Sequence, residues 1–86
     1  MSLQDERELL SPPGDTILET IRYMGMSQVG LAVKLGVDLP FLKRLLVGEE
    51  VITPDLARKL ADLLGIAADF WLRREEIYRQ KLAELE

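Results

Sequence analysis

Lys34, Lys43 and Arg44, with only Asp38 against them, make residues 26–48 the one net-positive stretch of an acidic chain. The 86 residues carry a formal charge of −4, and the stretches 1–25, 49–65 and 66–86 are each net negative. Lysine and arginine in such a setting can neutralise phosphates, and arginine can also grip the edge of a guanine. Gln28, ahead of them, has an amide that both donates and accepts. Other chemistry is hard to assemble. With no histidine and no cysteine, the usual zinc sites, Ser-His-Asp and Cys-His nucleophiles and histidine acid/base catalysis are excluded. The pairs Glu49-Glu50 and Glu75-Glu76 are expected on the surface, without an apolar pocket to shift a pKa. The chain is therefore not expected to be an enzyme, and no cofactor or metal is expected.

The segments that must position these groups are helical. Ser27 is an N-cap type, and Leu31, Ala32 and Leu35 fall on one helical face before Gly36. Asp38 caps a second helix, with Pro40 in its first turn, Leu42, Leu45 and Leu46 on its apolar face and Gly48 after it. Helix, short glycine-containing turn, helix is the layout of the helix-turn-helix, whose second helix is laid into a DNA major groove. In that layout Asp38, Leu39, Pro40 and Phe41 stand at the reading end of the second helix, followed by Lys43 and Arg44, while Gln28 opens the first. All of these but Pro40 are the candidate DNA-contacting residues.

The run Ser27, Gln28, Leu31, Ala32, Leu35, Gly36, Val37, Leu42, Leu45 and Gly48 resembles the Cro/C1-type (XRE) helix-turn-helix family. The flanks SPPGDTILETI and ITPDLARKLADLLGIAADFWL resemble the HigA/VapI-like antitoxin branch, and the tail FWLRREEIYRQKLAELE is also similar to the front half of ImmA/IrrE-fused regulators. The resemblance implies an all-α, five-helix, lambda-repressor-like domain with an extended C-terminal helix. It also implies a dimeric operator-binding repressor with a toxin partner. Three cations are few for one copy, so a homodimer on double-stranded DNA is expected on electrostatic grounds as well.

Two surface features strain that expectation. Leu39 and Phe41 cannot hydrogen-bond a base edge and could touch only thymine methyls. Val29, Gly30 and Val33 occupy the outer face of the first helix, where charge is common in related sequences. The alternative is a protein-interaction module with a degenerate helix-turn-helix that has lost DNA binding.

Elsewhere, residues 1–10 read as a flexible arm, with Leu9 and Leu10 as a staple to the domain of residues 11–86. Five helices are expected near residues 15–24, 27–35, 39–47, 54–64 and 68–84. Gly14 or Asp15 is expected to cap the first, with Ile17, Ile21 and Met24 facing inward. Thr53-Pro54-Asp55 is a strong start for the fourth. Arg58 and Lys59 are expected on its solvent side, and Phe70 with Trp71 to plug the last helix into the core. The core is expected to hold Ile17, Ile21, Leu31, Ala32, Leu35, Val37, Leu42, Leu45, Leu56, Leu60, Leu64, Ile66 and Trp71. Glu76 and Arg79 are placed as an i,i+3 pair, and Ile77, Leu82 and Leu85 as a stripe awaiting a partner. The acidic N-terminus lacks signal-peptide character and no apolar run approaches ~20 residues, so a cytoplasmic location without a membrane is expected.

Overall fold

Local side-chain caps set where three of the helices begin. The structure, a computed structural model, describes residues 10–85. It contains α1 (Pro13–Met24), α2 (Gln28–Leu35), α3 (Leu39–Leu46), α4 (Pro54–Leu64) and α5 (Ala68–Glu84), with no strand among the described residues. The Ser27 hydroxyl accepts the Gly30 N–H at 3.0 Å, Asp38 accepts the Phe41 N–H at 2.8 Å and Thr53 accepts the Leu56 N–H at 3.2 Å. Each satisfies an amide that the first helical turn leaves free. Gly36 turns α2 toward α3 at φ +74°, a left-handed conformation that glycine adopts at little steric cost.

Helix α3 lies against both α1 and α2, while α5 packs along α4 and reaches back to α1. Ile17 and Ile21 from α1, Leu31, Ala32 and Leu35 from α2, and Leu42 and Leu45 from α3 form one buried cluster with Leu56, Leu60 and Leu64 from α4. Trp71 enters it fully buried, and its indole N–H donates to the Ile66 carbonyl at 3.2 Å. A buried tryptophan so bonded leaves no stranded polar atom.

Several expectations are corrected at the margins. Helix α1 starts at Pro13, and its N-cap is Pro12, with no side-chain cap bond. Gly14 is inside the helix and buried rather than a cap, because α1 meets α3 backbone to backbone there. A Cβ on Gly14 would overlap the Leu46 carbonyl. Met24 is 46% exposed, since Gly25 turns the chain away before that residue can reach the core. Val37 and Ile66 are half-buried and pack on the edge of the cluster, whereas Leu46, Ile52 and Ala57 belong to its interior. Phe70 meets Trp71 edge to face at 5.2 Å but stays 39% exposed, so Trp71 alone is the plug. Arg79 pairs with Glu75, not Glu76, and Glu75 is buried. Residues 1–9, most of the expected arm, lie outside the described residues, and Leu10 is half-buried.

Candidate nucleic-acid interface

Burial of Leu42, Leu45 and Leu46 fixes which side of α3 looks outward. Pro40, Lys43, Arg44 and Val47 are exposed, at the i, i+3, i+4 and i+7 spacing of a single helical stripe. Two flanks of this stripe differ in chemistry. On one, Lys43 and Gln28 line a shallow concavity with Asp15, Leu18, Leu46 and Val47. Gln28 is the first residue of α2, so its amide sits beside the positive end of that helix dipole. A phosphate oxygen approaching there would meet a helix N-terminus, a carboxamide and a lysine, although Asp15 lowers the local positive potential.

On the other flank the cation is already engaged. Arg44 Nε donates to Glu50 Oε2 at 2.9 Å, and the guanidinium carbon stands 5.8 Å from the centre of the Phe41 ring. Phe41 is only partly exposed and, with Leu35, Val37, Val51 and Leu56, lines a cleft between α3 and α4. Leu39 is also half-buried and packs on the core. Both apolar residues expected at the reading end therefore contribute mainly to attaching α3. Asp38 spends one carboxylate oxygen on the Phe41 N–H, which makes it a cap first.

Of the residues singled out by sequence, the fold thus brings Gln28 and Lys43 together, and it brings Arg44 to Phe41. Leu39 and Phe41 do not join the outward stripe. Pro40, placed at the reading end by the sequence, does, and so does Val47, which sequence reading passed over. The signal was available, because they are the complement of the buried leucines on a helix of period 3.6. Glu50 was also missed, since nothing in a loop sequence tells which carboxylate will meet a cation six residues earlier.

The loop holding Glu50 is fixed from behind. Arg79 Nη2 donates to the Glu50 carbonyl at 2.9 Å, and the Ile52 N–H donates to Glu75 Oε1 at 3.2 Å. Arg79 Nε also meets Glu75. Gly48, where the loop leaves α3, lies so close to α5 that an added Cβ would be 2.7 Å from the Tyr78 hydroxyl. Around α2, Val29 is 58% and Val33 74% exposed, beside the exposed Lys34, while Gly30 is half-buried. Among the described residues, no cluster of His, Cys, Asp and Glu could hold a metal ion. Nor is any helix long and apolar enough to cross a membrane.

Comparison with known families matches residues 24–71, from the last residue of α1 to the core tryptophan, to the family described as helix-turn-helix. Comparison with curated proteins finds the uncharacterized HTH-type transcriptional regulator YddM of Escherichia coli (strain K12). The two are 31% identical over 74 residues, which are 86% of this chain and 77% of that protein.

Proposed function

This chain belongs to the helix-turn-helix family, and from that premise we propose that it is a transcriptional regulator that lays α3 in the major groove of double-stranded DNA. The carrying observation is the outward stripe of Pro40, Lys43, Arg44 and Val47, on a helix whose other side is fully committed to the core. Lys43 and Gln28 serve the backbone: a lysine neutralises a phosphate, and a phosphate contact sets register without reading sequence. Arg44 faces the bases. A single copy offers few free cations, so the binding unit is a homodimer on two half-sites. The setting of such a protein is the cytoplasm.

The finer reading is an antitoxin of the HigA type, which represses its own operator and holds a toxin on a second surface. Support comes from the resemblance of the flanking segments and from α5, where Phe70 and Ile77 remain 39% and 45% exposed on a helix that runs past the core. A specific observation favours a second reading, the protein-interaction module. Val29 and Val33 are one turn apart on α2, apolar and exposed, where a DNA-facing helix would gain from charge.

Titrating the protein against its own upstream DNA over a salt series tests the first reading. Log K should fall with log salt, and Lys43→Ala should flatten the slope by about 0.9, one released counterion's worth. Thermal stability should not change, since Lys43 is exposed and makes no described ion pair. A salt-independent affinity, or a slope untouched by Lys43→Ala, would favour the interaction module. Purification together with the neighbouring gene product tests the toxin assignment.

A further inference from the structure

The two cations of the α3 stripe are not equivalent. Lys43 points to solvent, whereas Arg44 has given its Nε–H to Glu50 and lies over Phe41. We infer that Glu50 is a positioning residue, which cancels the charge of Arg44 and orients its remaining N–H groups to read a base, so that Arg44 does not act as a phosphate cation. The inference rests on the DNA-binding reading above and assigns a division of labour within it.

Three features carry it. First, a carboxylate on Nε leaves the two terminal nitrogens of the guanidinium unspent. Those are the paired donors that match guanine O6 and N7. Second, a paired guanidinium brings little net charge to the DNA surface, so it releases little counterion when it docks. Third, Glu50 is itself held on two sides. Its carboxylate meets Arg44, and its carbonyl accepts Arg79 Nη2 at 2.9 Å. The loop before it is pinned by the Glu49 N–H donating to the Arg44 carbonyl at 2.8 Å. The loop after it is pinned by the Ile52 N–H on buried Glu75. A surface ion pair between two loose chains contributes little. Here the carboxylate comes from an anchored backbone, and the arginine packs against a half-buried ring, so less side-chain freedom is lost when the pair forms.

The test compares Arg44→Ala, Glu50→Gln, Glu50→Asp and Glu49→Gln in the full chain. Two duplexes serve as probes, the protein's own upstream DNA and a mixed-sequence duplex of equal length. Glu49→Gln is the control, because it makes the same charge change one residue away. Arg44→Ala should leave the salt slope on mixed DNA near the wild-type value. It should lower the preference for upstream over mixed DNA on the order of ten-fold, as the loss of one guanine contact does. Glu50→Gln should lower that preference comparably and steepen the slope by about 0.9 as Arg44 becomes free to take a phosphate. Glu50→Asp, which keeps the charge, should recover part of the preference, and Glu49→Gln should do neither. A slope flattened by about 0.9 in Arg44→Ala would make Arg44 an ordinary phosphate cation and overturn the inference, while leaving the DNA-binding reading intact. Equal effects of Glu49→Gln and Glu50→Gln would also overturn it. Absence of salt-dependent DNA binding by the wild type would remove the DNA-binding reading and this inference with it.

Discussion

The two ends of α3 are held by different means. Its N-terminal end is attached by side chains: the Asp38 cap, and the half-buried Leu39 and Phe41. Its C-terminal end is attached by close backbone approach, with Gly14 of α1 against the Leu46 backbone. Side-chain attachment tolerates substitution, because a rotamer can adjust. Backbone approach does not, because a Cβ has nowhere to go. The N-terminal end of α3 is thus the adaptable one, and the end that sets the angle of the helix is rigid.

Gly14→Ala should break the rigid end and have the largest effect. The new methyl must push α1 off the Leu46 carbonyl, at a net cost of about 3 kcal/mol, the upper part of the range for overpacked sites. In a domain of this size that lowers the melting temperature by more than about 10 °C in a thermal unfolding scan. An unchanged melting temperature would mean that α1 and α3 can slide apart freely. Glu75→Gln comes next. It keeps the shape and an acceptor for the Ile52 N–H but leaves Arg79 without its charge partner. Loss of a fully buried pair costs about 3–5 kcal/mol, and because the Arg79 side chain is 32% exposed the expected loss is nearer about 2 kcal/mol. Denaturant unfolding should show a lower midpoint with the same slope. Asp38→Ala, at the adaptable end, should be the mildest, about 1 kcal/mol for a lost N-cap. If Asp38→Ala were as damaging as Gly14→Ala, the contrast between the two ends would not hold.

Helix positions were legible in the sequence because caps are local. Ser27, Asp38 and Thr53 announce their helices within four residues, and the apolar spacing that follows names the inward face. The buried set was legible inside helices and blurred at their edges. Val37 and Ile66 are apolar residues just past helix ends, and whether such a residue points in depends on the angle of the next element. Ile52, in a loop, carries no periodicity at all. Gly14 looked like punctuation because a glycine after two prolines usually is; its packing role depends on Leu46, in a helix two elements further along the chain. Glu75 had no sequence signal either. In Arg73-Arg74-Glu75-Glu76 every residue looks solvated, and only the approach of the α3–α4 loop selects one carboxylate for burial. The site shows the same division. Gln28, Lys43 and Arg44 follow from motif register, while the pairing of Arg44 with Glu50 is a fact of tertiary structure.

Trp71 has a practical consequence. It is the one tryptophan of the chain, fully shielded from water, with its indole N–H on the Ile66 carbonyl. Intrinsic fluorescence excited at the indole band therefore comes from a single, dry site behind the structure rather than on its outward stripe. Emission should be blue-shifted in the native protein and move to the red as the core opens. DNA added to the α3 face should leave its wavelength unchanged. One optical channel can then follow folding while a labelled duplex follows binding in the same cuvette, and a variant that loses affinity through unfolding is told apart from one that loses it through its contacts.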